Sequence, residues 1–334
     1  MVKSSKMIFI NGLKLGISIN IIFLIIIGSL SCFGYLLGKP LSSPRSRLPL
    51  GTVTGFTQIS NSIWRDKSQL FSFFIIENEL NRAVVKKLSS KTKSWCKYYN
   101  CYSHRMSFND VNKLNFSSHT IDDFYTDIQF TDAQIREAKL KSLDLFLASL
   151  PSGSLIIINE PIVFFKFELR FTEFKNWYLS LVDKYPNLKF QFGLQIHLQW
   201  LDVVLFRYNW LFDRLKDSNL EWMVIEFSIY DELWKKQLSS FWRELSDFNV
   251  NFPPVVDKLV PRFVRSNLSL LSAYYVASKC RADSNCKSFV IWGNFGHAWF
   301  ADRVPVSYSG QFQIFDESGK IQPMYWAILR GLNQ

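Results

Sequence analysis

Four histidines are spread over 334 residues, and no two stand as His-x-x-x-His. Of the five cysteines, no two form Cys-x-x-Cys. The commonest spacings of a zinc centre are therefore missing. There is no glycine-rich phosphate loop and no Gly-x-Ser-x-Gly elbow, which removes the familiar nucleotide cradle and the serine-hydrolase nucleophile. Internal repeats and low-complexity tracts are absent too. Acidic residues are in the minority: 28 Asp and Glu against 39 Lys and Arg give a formal net charge of +11. A nucleic-acid binder gathers its basic residues into a patch. Here they are dispersed, and the densest group, Lys86-Lys87 to Lys97, is short. The charge reads as solvated surface. Neither nucleic acid nor a metal, nucleotide or redox cofactor is expected.

Aromatic residues are plentiful, with 31 Phe, 13 Tyr and 11 Trp. A saccharide site needs aromatic platforms, yet most of these rings must serve the core. Residues Leu15 to Gly38 carry no charged side chain and are rich in Ile, Leu and Phe. The run meets the roughly 20 residues needed to span a bilayer, and it exceeds the 7–15 or so of a signal-peptide core. Lysines precede it and Lys39, Arg45 and Arg47 follow. The reading is an uncleaved signal anchor over residues 1–38, a linker over 39–50 and a body over 51–334. That body would sit outside the cytoplasm, tethered to the membrane, or secreted if the segment is cleaved. Cys96, Cys101, Cys280 and Cys286 form two close pairs, which suits two small-loop disulfides in a translocated protein. Four free buried thiols would fit a cytosolic one.

From residue 51 onward, strand-like and helix-like stretches alternate, the pattern of an α/β fold with parallel strands. Strands are expected over 51–56, 70–76, 114–119, 155–159, 190–197, 222–227 and 288–292. Helices are expected over 131–150, with an N-cap candidate at its start, and over 171–184, 203–215, 239–248 and 268–279. The basic, polar segment 86–112 reads as including an exposed loop. These strands are one fewer than a closed barrel needs. Two of the apolar runs end abruptly in a carboxylate, Glu160 after Leu155-Ile-Ile-Ile-Asn159 and Glu226 after Trp222-Met-Val-Ile225. In a β/α barrel that end of a strand is where catalytic groups sit. A pair of carboxylates so presented can protonate a glycosidic oxygen and attack the sugar, or can simply be strand ends in contact with water.

Several segments together resemble the family-10 glycoside hydrolases, the retaining β-1,4-xylanases. They are Glu77-Asn78-Glu79-Leu80-Asn81, Ser118-His119-Thr120-Ile121, Asn159-Glu160, Gln195-Ile196-His197-Leu198 and Ile225-Glu226-Phe227-Ser228. They continue with Cys280, Cys286, Trp292-Gly293, Trp299, Ile314-Phe315-Asp316 and Gln322-Pro323-Met324-Tyr325, in the family's order. The resemblance implies a TIM-barrel-like (β/α)8 fold, incomplete or rearranged here, and the apolar run of residues 15–38 would set one N-terminal transmembrane helix before it. It implies Glu160 as general acid/base and Glu226 as nucleophile, about 5–5.5 Å apart. His197 would orient the nucleophile and Asn159 would meet the sugar 2-hydroxyl. Glu77, Asn78, His119 and Gln195 would contact substrate, Trp292 and Trp299 would floor and wall a pyranose, and Cys280 would pair with Cys286.

The family's lysine is Asn81 here, no second histidine stands near Phe124, and the stretch between Glu160 and Gln195 is short, with no counterpart of the family's fifth strand. These departures bear on xylan specificity more than on carboxylate chemistry. A poly- or oligosaccharide substrate is expected. A degenerate barrel that binds carbohydrate without turnover, or a transglycosylase remodelling an envelope polysaccharide, would use much of the same machinery.

Overall fold

The computed structural model describes residues 25–43, 45–54, 67–76, 100–103, 118–162, 165, 168–199, 208–230, 260–292, 314–316 and 318–334. Glu77, Asn78, Asn81, Cys96, Trp299 and the helix expected over 239–248 lie outside them.

Eight parallel strands follow one another around a closed barrel. They are β1 (Leu50–Thr54), β2 (Phe73–Ile76), β3 (Asn100–Ser103), β4 (Ser118–Asp122), β5 (Leu155–Pro161), β6 (Lys189–Gln199), β7 (Trp222–Tyr230) and β8 (Cys286–Ile291). Closure comes from β1 lying beside β8, with Leu50 opposite Phe289 and Thr52 opposite Ile291. Thr52 Oγ1 donates to Ile291 O across this seam. The strand lacking from the sequence reading is β3, inside the segment expected to include an exposed loop. Its residues, Asn-Cys-Tyr-Ser, offer no apolar run or alternation to reveal it. One pair, Ser103 with His119, joins it to β4. The strand ending in Asn159-Glu160 is consequently the fifth, not the fourth, and it pairs directly with β6 along seven residues.

The helices are α1 (residues 25–37), α2 (Phe124–Gln129), α3 (Ala133–Ala148), α4 (Glu168–Lys184), α5 (Asn209–Ser218), α6 (Arg262–Ala282) and α7 (Pro323–Asn333). Asp132 caps α3 by accepting from Ile135 N at 3.0 Å, which satisfies one of the orphan donors of its first turn. On α4, Phe171, Phe174, Tyr178 and Leu181 are buried, recurring at the three- and four-residue spacing of one helix face. Phe174 packs on Phe192 of β6, with ring centroids 4.7 Å apart.

Strand side chains sort into two cores by the period-two alternation of the pleat. Ile156, Ile158, Phe192, Leu194, Ile196, Val224, Phe227, Phe289 and Ile291 belong to the large cluster shared with the helices. Ile157, Met223, Ile225 and Val290 form a small separate cluster inside the barrel, with Trp292 against it.

Helix α1 is the C-terminal half of the run read as a membrane span, and it packs on the barrel's outer helices. Asn267 Nδ2 donates to Ser31 Oγ, and Arg330 of α7 donates to the carbonyls of Leu37 and Lys39, both at 3.0 Å. Among the described residues no helix is long and apolar enough to cross a bilayer.

Helices α6 and α7 touch closely at Gly331. A Cβ there would lie 2.6 Å from Tyr274 O and 2.7 Å from the Ala277 Cβ. Alanine favours a helix by about 1 kcal/mol over glycine, but overpacking costs about 1–3 kcal/mol. Gly331→Val is therefore expected to lower the unfolding free energy by that larger amount, read as a lower denaturant midpoint at unchanged slope, and Gly331→Ala to lower it rather than raise it.

Candidate active site

Successive residues of a strand leave on opposite faces. Ile157 faces the barrel interior while Ile156 and Ile158 face the helices, so Asn159 points inward and Glu160 outward. Both are fully buried. Asn159 Nδ2 donates to Asp122 Oδ1 at 2.8 Å and to Glu226 Oε1 at 3.0 Å. A single amide thus joins two carboxylates at the C-terminal mouth of the barrel. Gly193, beside Asn159 on β6, leaves the room: a Cβ there would lie 2.8 Å from Ile157 Cγ2 and 3.2 Å from Asn159 Oδ1.

Glu226 reaches the interior through a bulge. Leu194 of β6 pairs with Val224, but the next residue, Gln195, pairs with Glu226, so Ile225 is passed over. A bulge turns a side chain that strict alternation would send the other way. Ile225 and Glu226 consequently both face inward, and Phe227 returns to the helix side.

Around Glu226, His197 Nε2 stands 3.4 Å from Oε2, and its Nδ1 lies 2.7 Å from Ser228 Oγ. With its proton on Nε2, a neutral imidazole donates toward the carboxylate and accepts from the serine hydroxyl. Trp292, at the end of β8, meets the His197 ring edge-on with centroids 6.1 Å apart. Gln195 Nε2 donates to Asp123 Oδ1 at 2.6 Å. The structure therefore brings together Asn159, Gln195, His197, Glu226 and Trp292 of the residues named from sequence.

Two others are placed elsewhere. His119 faces outward on β4, its ring edge-on to Phe146 of α3 at 5.8 Å, and is not part of this cluster. Glu160 lies against the N-terminus of α2, where Oε1 accepts from Tyr125 N at 2.6 Å. Its Oε2 accepts from Thr126 N at 3.0 Å and Thr126 Oγ1 at 2.6 Å. The pleat thus turns this carboxyl, expected beside Glu226, toward the helix side. Asp122, Asp123 and Ser228 are the site residues that the sequence reading left without a role. Asp122-Asp123 directly after a strand is the same signal that singled out Glu160 and Glu226, hidden by the weakness of the strand before it.

Cys280 and Cys286 form a disulfide that ties the end of α6 to the start of β8. Nearby, Trp222 Nε1 donates to Asp283 Oδ2 at 2.7 Å, anchoring the foot of β7. Among the described residues no group of three or more His, Cys, Asp or Glu side chains is arranged to hold a metal ion.

No family model and no curated protein matches this sequence. Solved structures do resemble it. The endo-1,4-beta-xylanase of Caldicellulosiruptor owensensis superposes with a TM-score of 0.58 at 14% identity, over 86% of this chain and 97% of that one. Xylanase 10B of Thermotoga petrophila RKU-1 in complex with xylobiose gives 0.58 at 12%, over 85% and 94%. The glycosylated endo-beta-1,4-xylanase of Gloeophyllum trabeum, of glycoside hydrolase family 10, gives 0.56 at 13%, over 88% and 100%. At these identities the likeness establishes a barrel of the family-10 xylanase kind.

Burial pushes the Glu160 carboxyl up to about 8 from an ordinary 4.5, against the lowering effect of its bonds to Thr126 and Tyr125. Asp123, the residue before α2, has a left-handed backbone and makes no capping bond of its own. Glu160 from the next strand does that work, placing acceptors on two orphan N–H groups of the first turn. Because the folded value exceeds the unfolded one, folding takes up a proton between them, and stability falls as pH rises. The contribution is intact below about 4.5 and is lost as pH climbs through about 8. Glu160→Gln sets an amide NH2 against a backbone donor, at a cost of about 1–3 kcal/mol. Thermal unfolding across that range should show the wild-type excess stability over this variant shrinking as pH rises.

Proposed function

We propose that this chain is a glycoside hydrolase acting on a β-linked polysaccharide, with Glu226 as the nucleophile of a retaining double displacement. The observation that carries the reading is the setting of Glu226. It is a buried carboxylate turned by a bulge into the mouth of a parallel barrel, held by Asn159 and His197 beside Trp292. Catalytic groups of such barrels come from the C-terminal ends of their strands. Asn159 and His197 fix the rotamer of Glu226, so the attacking oxygen is presented without reorganisation. Each also contacts one of its two oxygens, which spreads the charge the carboxylate regains when the glycosyl ester is cleaved.

Trp292 gives the apolar face that a pyranose ring stacks against. A xylan-type β-1,4 chain is the first substrate to test, since one of the similar barrels holds xylobiose. The disulfide supports work outside the cytoplasm, with the residues before α1 as the proposed membrane tether.

One observation favours a second reading, a carbohydrate-binding barrel without turnover: Glu160 is committed to α2 and does not face Glu226. The two readings part on covalent chemistry. Incubation of the full chain with 2-deoxy-2-fluoro xylosyl, xylobiosyl and cellobiosyl donors, followed by peptide mass mapping, should place an adduct on Glu226 that Glu226→Gln abolishes. Saturable sugar binding without any adduct would leave the binding reading in its place.

A further inference from the structure

We infer that Asp122, not Glu160, is the acid–base partner of Glu226, an assignment that rests on the glycosidase reading above. Asp122 ends β4 directly opposite Asn159 of β5. Ile121 faces the helices, so Asp122 shares the inward face with Asn159. Its Oδ1 and the Glu226 Oε1 both accept from the same Asn159 Nδ2, at 2.8 and 3.0 Å. Two oxygens on one donor at those distances are no more than about 6 Å apart, which fits the roughly 5–5.5 Å of a retaining pair and falls short of the wider inverting range.

The face each side chain takes separates the two candidates for this role. Asp122 ends β4 at the barrel mouth on the face of Glu226, whereas Glu160 is fully enclosed on the helix side. A group that protonates a leaving oxygen and then deprotonates water has to meet both. Glu160 would have to abandon three bonds to α2 first.

In the first step a Glu226 oxygen attacks the anomeric carbon while the glycosidic C–O bond breaks. The Asp122 carboxylic acid gives its proton to the departing oxygen. In the second step the Asp122 carboxylate takes a proton from water, the water oxygen attacks the anomeric carbon, and the ester to Glu226 breaks. Both side chains return to their starting states. Asn159 positions both, and Gln195 holds the neighbouring Asp123 out of the pair by donating to it at 2.6 Å.

The test uses the full chain with aryl β-xylobiosides of graded leaving group, phenyl and 2,4-dinitrophenyl, with and without sodium azide. Dinitrophenolate leaves without protonation and phenolate does not. Asp122→Asn, which keeps an acceptor for Asn159, and Asp122→Ala should each lose on the order of 10²–10⁴-fold on the phenyl substrate. They should keep the attack on the dinitrophenyl one. Azide should then accelerate turnover and yield the β-glycosyl azide, because a small anion replaces the missing base at the ester of Glu226. Glu160→Gln, assayed below its melting point, should keep the wild-type dependence on leaving group. Azide rescue in Glu160→Ala or Asp123→Ala instead, or an unchanged phenyl rate in folded Asp122→Asn, would overturn the assignment while leaving Glu226 as nucleophile. A wild-type chain that neither labels at Glu226 nor releases dinitrophenolate would remove the glycosidase reading itself, and this inference with it.

Discussion

The mouth of this barrel is organised by one side-chain amide. Asn159 is buried with no exposed surface, and it holds Asp122 and Glu226 through a single nitrogen. A buried amide without acceptors costs about 1–3 kcal/mol, and a buried carboxylate without donors costs more. The three groups therefore require one another. Removing the amide would leave two acidic groups facing each other in a confined space. Everything else in the cluster follows from this demand: the glycine at 193 that clears space, the bulge that turns Glu226, and the histidine that reaches its second oxygen.

The neighbour of that asparagine is spent differently. The pleat sends Glu160 to the helix side, where it closes the start of a six-residue helix that lacks a cap of its own. So short a helix is not stable by propensity. It persists because a carboxyl group from the adjacent strand satisfies its first donors and because Tyr125 packs against Phe174 and Trp177 of α4. Adjacent residues thus divide the labour, one holding the cleft and the other holding the wall behind it.

Much of this architecture can be read from the chain. The apolar runs of β5 and β7 announce strands buried on both faces, and α3 and α4 show helical spacing with ends within a few residues of those observed, while α6 begins a turn and a half before the expected 268. Strand β3 could not be read, because its four residues, Asn-Cys-Tyr-Ser, carry no apolar run or alternation. The faces taken by Glu160 and Asp122 were illegible for a subtler reason. A carboxylate at a strand end is visible in sequence, but the face it takes is set by register and bulges. One passed-over residue, Ile225, reverses the direction of Glu226, and no composition or spacing rule marks it. His119 illustrates the same point: a histidine in a motif-like string, turned outward by parity onto Phe146.

The contacts of Arg330 and Asn333 have a mechanical meaning. Arg330 grips the carbonyls of Leu37 and Lys39, and Asn333 bonds Arg45 O and Arg47 N. Residues on either side of the β1–β8 seam are thereby laced together outside the barrel as well as along it. Such a lacing makes the first and last described segments one cooperative unit, so slow hydrogen exchange should be gained and lost in both together. A pull applied to the segment before β1 would then load α7 before it reached the cleft, shielding the carboxylate pair from strain.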